Sequence, residues 1–246
     1  MRIRDFGDRG YVVLPEALSR RELGVVNRAI EDELRLRPEL WIERSPQRKD
    51  NFYALLANPA FDRTIANPRV LPLVRSLMAD EPCFDEFLLT VRGACRGRPS
   101  RPMFHRDARR IDGGPLRHLA VLYYLTDHDD TTHCWTILPE TMARTRLPET
   151  MARTRRGPRT LEAGARPVGA PAGSAIIFDA TCSHAFVRRT TDSESRSIRI
   201  HFGRASNAPI GNDTIVPRRL LASPSNPTRQ LFRRTNLVTR LTRQRR

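Results

Sequence analysis

Apolar residues recur along the chain in two different rhythms. The first eighty residues or so carry a helical one. Leu23, Val26, Ile30 and Leu34 follow one another at spacings of three and four, which lines one face of a helix. Ser19-Arg20-Arg21-Glu22 just ahead of them has the form of a capping box, with Leu18 and Leu23 placed as a hydrophobic staple. A helix is therefore predicted to begin at about residue 20 and to stop before Pro38. Val70, Leu73, Val74 and Leu77 predict a second helix over 68–78, and Gly10-Tyr-Val-Val-Leu-Pro15 reads as a short strand ahead of the first.

From residue 84 the texture changes to short apolar runs separated by turn residues: 84–91, 116–125, 134–138, 173–179 and 197–202. An all-β sandwich or barrel reads this way. Helices first and strands afterwards predict a mainly β core with helices packed on its outside.

Two stretches stand apart from this pattern. LPETMARTR at 138–146 is repeated without change at 147–155; a single tandem copy this short is no solenoid and is read as a duplication lengthening one surface loop. The tail, 227–246, is predicted helical with a cap at Ser225 or Asn226. Leu231, Leu237, Val238 and Leu241 share one side and Arg229, Arg233, Arg240 and Arg243 the other. Such a basic amphipathic helix docks its stripe on the domain, or else meets a membrane surface or nucleic acid. The expected organisation is one domain over 1–204 followed by a basic C-terminal extension, 205–246.

The 246 residues suffice for one domain with a sizeable core, and 39% hydrophobic with 28% charged residues is a globular composition. Charge is the outlier: 43 basic residues, all but Lys49 arginine, against 27 acidic ones give +16. The excess is clustered, at +2 over residues 1–137 and +14 over 138–246. A small-molecule substrate, itself anionic, or a nucleic-acid or membrane partner for the basic half are the readings this allows. No run reaches the roughly 18 apolar residues that span a bilayer, and the first residues lack an export signal. Cys83, Cys95, Cys134 and Cys182 form no C-x-x-C pair and read as reduced thiols, so a cytoplasmic protein is expected.

The candidate chemistry centres on His105-Arg106-Asp107. In an extended segment the period of two puts both side chains on one face, and a further ligand from elsewhere would complete a metal-binding face with positions left open for a co-substrate and O₂. A second H-x-D, His128-Asp129-Asp130 with His133 nearby, sits in the polar stretch TDHDDTTH and reads as solvated loop.

Four segments in order resemble the phytanoyl-CoA dioxygenase family of Fe(II)- and 2-oxoglutarate-dependent oxygenases. They are Phe6-Gly-Asp-Arg-Gly-Tyr-Val-Val-Leu-Pro15 with its helix, Pro102-Met-Phe-His-Arg-Asp107, Cys134-Trp-Thr-Ile-Leu-Pro139, and Pro171-Ala-Gly-Ser-Ala-Ile-Ile-Phe-Asp-Ala-Thr-Cys-Ser-His184. The resemblance implies a double-stranded β-helix of the jelly-roll or cupin type, Fe(II) held by His105, Asp107 and His184, and 2-oxoglutarate as co-substrate. It also implies hydroxylation or a related oxidation, since halogenating relatives carry a small residue where Asp107 stands. Eleven residues beyond His184, where the family usually places the arginine for the co-substrate's distal carboxylate, stands Ser195. Strand parity favours Arg199 for that role, with Arg196 reached by a bulge. Tyr123 falls where the family often has an aromatic beside the co-substrate, and reads equally as a buried core tyrosine; Phe186 replaces a small hydroxyl residue. Cys182 is read as a plain strand residue. A rival reading keeps the β-barrel and gives up catalysis, leaving a binding protein whose basic half contacts nucleic acid or an anionic membrane.

Overall fold

The computed structural model describes residues 3–98, 102–108, 116–129, 131–139, 164–211, 213–222 and 226–244. Most of the duplicated loop, 140–155, lies outside them. Helix α1 (Ile3–Arg9) leads into strand β1 (Tyr11–Leu14), and α2 (Arg20–Leu36) follows. The capping box forms as its sequence predicts: the Glu22 backbone N–H donates to Ser19 Oγ at 3.3 Å and the Ser19 N–H to Glu22 Oε2 at 2.9 Å, satisfying two donors at the helix start. The hairpin β2 (Ile42–Ser45) and β3 (Arg48–Asn51), then the short helices α3 (Ala54–Ala57) and α4 (Asp62–Ile65), come before α5 (Leu71–Met78). The hairpin escaped the sequence reading because IERS and RKDN carry almost no apolar alternation.

The strands β4 (Pro82–Arg92), β5 (His118–Tyr124), β6 (Cys134–Ile137), β7 (Arg166–Pro167), β8 (Ala175–Asp179), β9 (His184–Val187) and β10 (Ser195–Arg204) build two sheets. The larger has the order β1-β8-β5-β10-β4-β3-β2 and the smaller β7-β6-β9, with every pairing antiparallel. Alternation sorts the side chains of the large sheet. Ile198, Ile200 and Phe202 of β10, Leu119, Val121 and Tyr123 of β5, and Ala175 and Ile177 of β8 pack with the helices in one core. Ala120, Leu122, Tyr124, Ile176 and Phe178 face the small sheet, where Trp135 and Ile137 join them in a second core. Two sheets closed over such an interior make a double-stranded β-helix, with the helices on the outer face of the large sheet.

Gly173 ties the helix layer to the sheet. Its φ is +88°, and a Cβ there would lie 2.8 Å from the Leu18 carbonyl oxygen; the Leu18 N–H in turn donates to the Gly173 carbonyl at 2.9 Å. Only glycine fits both the left-handed backbone and the close approach.

The tail is two helices rather than one. After α6 (Arg218–Leu221), α7 (Asn226–Leu231) and α8 (Leu237–Gln244) are separated by a break that resets the helical phase. Leu231 and Phe232 enter the main core, Phe232 packing 5.4 Å from Phe84 ring to ring. In α8 it is Thr239 that is buried, with Asn236 just ahead of it, whereas Leu237 and Leu241 stay 49% exposed. Among the described residues no helix is long and apolar enough to cross a membrane.

Candidate metal centre

The three residues singled out by motif come together at the open edge of the small sheet. His105 pairs with the first residue of β9: each backbone N–H of His105 and His184 donates to the other's carbonyl at 2.9 Å. Two residues on, the Asp107 N–H donates to the Ala180 carbonyl in the β8–β9 connection. This extended segment therefore presents His105 and Asp107 on one face beside His184. One ligand atom from each of the three lies within 4.8 Å of the others. His105 Nε2 is 3.5 Å from Asp107 Oδ1 and His184 Nε2 is 3.4 Å from Asp107 Oδ2.

Both imidazoles are oriented from behind. His105 Nδ1 lies 3.2 Å from the Met103 carbonyl and His184 Nδ1 3.0 Å from the Cys182 carbonyl. A carbonyl partner fixes the proton on Nδ1 and leaves the Nε2 lone pair pointing at the shared space. Burial pushes the His184 imidazole down to about 4, the Asp107 carboxylate opposing that shift without overcoming it, so the ring is neutral near pH 7 as a metal ligand must be. Trp135 and Phe178 wall His184, at 5.6 and 5.0 Å between ring centroids. His105 by contrast has a half-exposed side chain, so it marks the mouth of the site.

Asp107 is held by charge from the large sheet. Arg199 NH1 donates to its two oxygens at 3.3 and 3.4 Å, and His201 Nε2 lies 3.0 Å from Oδ2. Burial alone would raise this carboxyl; Arg199, His184 and His201, with the His105 hydrogen bond, outweigh burial and hold it well below the usual carboxylate range. An acceptor-only carboxylate facing two imidazole Nε2 atoms is a donor set suited to a divalent first-row metal.

The co-substrate residues expected from the sequence are placed differently from one another. Arg199 faces the interior, as parity required, but it is engaged with Asp107 and, at 3.7 Å, with Glu86. Arg196 points the other way, onto Glu194 and, through α2, onto Asn27 and Glu31. Tyr123 is corrected outright: odd-numbered positions of β5 face the helices, and its hydroxyl donates to the Thr64 carbonyl at 2.8 Å. The second H-x-D is no solvated loop either. His128 stacks on Tyr124 with ring centroids 3.8 Å apart, and both it and His133 are buried, while Asp129 is exposed and caps its own turn; Asp130 lies outside the described residues. Cys182 is buried in the turn ahead of β9 rather than in a strand.

Sequence reasoning placed Ser195, Ser197 and Arg199 inward but missed His201 and the buried polar groups of β4 that face them. Glu86, Thr90 and Arg92 stand opposite His201, Ser197 and Ser195 in register, all on the interior face. Arg92 NH1, Ser195 Oγ and Arg199 Nε are buried with no hydrogen-bond partner. The signal was available: an inward strand phase reading Ser-x-Ser-x-Arg-x-His is polar where a barrel interior is normally apolar.

A double-stranded β-helix bearing two histidines and a carboxylate on one face, with unsatisfied donors behind them, defines the class of non-haem iron, 2-oxoglutarate-dependent dioxygenases. The family model described as phytanoyl-CoA dioxygenase matches residues 6–198, and the chain belongs to that family. Among solved structures, HygX from Streptomyces hygroscopicus with nickel and 2-oxoglutarate bound is similar at a TM-score of 0.68 and 16% identity, over 84% of this chain and 87% of that one. The α-ketoglutarate-dependent epimerase SnoN from nogalamycin biosynthesis gives 0.66 and 18%, over 82% and 79%. The carbocyclase SnoK from the same biosynthesis gives 0.65 and 20%, over 82% and 83%. No curated protein is significantly similar in sequence.

Proposed function

We propose that the protein binds Fe(II) through His105 Nε2, Asp107 and His184 Nε2, takes 2-oxoglutarate as co-substrate, and hydroxylates a small organic substrate with release of succinate and CO₂. The observation that supports this is the convergence of the three ligand atoms within 4.8 Å, each histidine already held by a carbonyl on its Nδ1. The residues also fit a keto acid, since the interior behind the triad holds buried donors, Arg92 NH1, Ser195 Oγ and Arg199 Nε, that lack an acceptor. Bound iron and co-substrate supply the oxidising chemistry. The chain's own part is positional. His201 and Arg199 hold the Asp107 carboxylate ionised and in place, and Trp135 and Phe178 shield His184 from water. The half-exposed His105 leaves an approach for substrate from the side of Met103, which is 83% exposed.

A small molecule as substrate is supported by the neighbours, HygX having been solved with hygromycin B and SnoN with nogalamycin RO. The four buried cysteines suit the reducing cytoplasm. Anaerobic Fe(II) and 2-oxoglutarate should give a weak visible charge-transfer band that His105→Ala and Asp107→Ala abolish, and succinate should form on admitting air. No band and no succinate with iron-loaded protein would overturn the reading.

A further inference from the structure

Arg92 is the last residue of β4, and its buried guanidinium makes no ion pair among the described residues. Its Cα partner across the ladder is Ser195, so the two side chains leave neighbouring strands on the same interior face, Cβ atoms about 5 Å apart. The guanidinium carbon sits 3.7 Å over the centre of the Phe186 ring. Stacking of this kind holds the flat group by its face and leaves its N–H edges free to donate in plane. NH1 is buried with no hydrogen-bond partner, and so is Ser195 Oγ beside it.

The carboxylate that could have neutralised Arg92 is already committed. Asp50 accepts from Arg44, Arg48 and the Thr90 hydroxyl. Among the described residues Arg92 makes no ion pair. Burial, together with Arg48, Arg199 and Arg188 and despite Asp50, pushes the guanidinium down to about 9, the behaviour of a buried cation short of negative charge. An isolated charge of this sort is costly in a folded protein unless an anion joins it.

We propose that Arg92, with Ser195 Oγ, binds the distal carboxylate of 2-oxoglutarate, the cation being delivered from β4 across the ladder to the place where Ser195 of β10 leaves room for it. The inference rests on the oxygenase reading above. Phe186 follows His184 by two residues on β9, so the guanidinium stacked on Phe186 lies about 7 Å along the strand from the level of the metal ligand. A five-carbon dicarboxylate held at the metal by its keto-acid end spans such a gap. The other two arginines are drawn elsewhere, Arg199 to Asp107 through its NH1, which leaves only its Nε open, and Arg196 to Glu194, Asn27 and Glu31.

The test compares two keto acids by anaerobic titration of the Fe(II) charge-transfer band. 2-Oxoglutarate carries the distal carboxylate and 2-oxobutanoate does not. Arg92→Ala should weaken 2-oxoglutarate by roughly 30-fold or more, the loss expected for one partner of a buried charge pair, and leave 2-oxobutanoate unchanged. Retained 2-oxobutanoate binding also shows that the variant is folded. Arg92→Ala with Ser195→Arg, which moves the cation to the facing strand, should recover most of the lost affinity. Arg196→Ala should change neither titration. Equal 2-oxoglutarate affinity in wild type and Arg92→Ala, or an equal loss for both keto acids with no recovery in the double variant, would overturn the assignment of Arg92. A wild type that gives no band with either acid would instead sink the oxygenase reading itself.

Discussion

His201 bridges two carboxylates: its Nε2 lies 3.0 Å from Asp107 Oδ2 and its Nδ1 3.1 Å from Glu86 Oε2. Both ring nitrogens face acceptors, so both are donors and the ring is the cationic form. Burial and Arg199 work against that charge, yet Asp107 and the two hydrogen bonds prevail and the pKa is raised. His201 is not one of the three candidate ligands. It acts through Asp107, as a positioning residue fixed in turn by Glu86.

His201→Ala is expected to weaken metal binding by about 10- to 100-fold, the range in which residues behind a metal ligand act. Titration with Co(II), followed by its visible absorption, reads the affinity without turnover. His201→Gln, which restores a donor, should recover part of the loss. An unchanged Co(II) affinity in His201→Ala would show that Asp107 needs no such support.

Much of this was legible in the chain and some was not, for identifiable reasons. The capping box at Ser19 and the spacing of Leu23, Val26 and Ile30 are local signals, and α2 runs from Arg20 to Leu36 much as they require. The interior phase of β10 followed from alternation once Ile198, Ile200 and Phe202 were aligned with the family's outward apolar positions. What alternation cannot give is the pairing between strands. Arg92 stands 103 positions before Ser195 in the sequence yet opposite it in the sheet, and nothing near either residue announces the other. Tyr123 and Tyr124 illustrate the complementary failure, because a shift of one residue turns a side chain to the other face. Two adjacent tyrosines leave that choice open until the partners of β5 are known.

The tail is expected to belong to the folded core. Arg234 reaches from the segment between α7 and α8 to the buried Asp85 and to the Asn207 carbonyl. Burial raises Asp85 to about 6, with Arg234 opposing the shift. Arg234→Ala would strand that carboxylate and should cost about 3 kcal/mol at pH 7, read as a lower urea midpoint. Asp85→Asn in the Arg234→Ala background removes the buried charge and should restore part of the stability. A midpoint within error of wild type for Arg234→Ala would mean that the tail is only appended.

Gly173→Ala tests the junction between the helix layer and β8. The substitution puts a methyl group 2.8 Å from the Leu18 carbonyl oxygen in a backbone with φ +88°, and neither the carbonyl nor the turn is a flexible side chain that can give way. A loss of about 2 kcal/mol is expected, somewhat more than the strain of a left-handed alanine alone. Gly7, whose added Cβ would meet nothing within 4 Å, is the control position. Equal stability of Gly173→Ala and Gly7→Ala would remove the junction from any account of how β8 is placed.

The pH dependence of the metal-free protein should reveal the second H-x-D histidine. His128 is 2% exposed, stacked on Tyr124, with Nδ1 2.6 Å from the His133 carbonyl. Burial pushes it down to about 4, the His133 carbonyl opposing the shift and Arg92 adding to it. The sign follows from which state binds the proton. Below the unfolded value of about 6.5 the unfolded chain takes up a proton that the folded ring refuses until about pH 4. Stability is therefore fully present above pH 6.5 and falls as the pH drops through that window, by on the order of 2 kcal/mol from this residue at pH 5. His184, depressed to about 4 as well, adds a loss of the same sign. His128→Gln keeps a hydrogen-bonding side chain without a titrating ring. Urea midpoints at pH 7 and pH 5 should diverge less in this variant than in wild type, and parallel shifts in the two would show that His128 does not carry the proton.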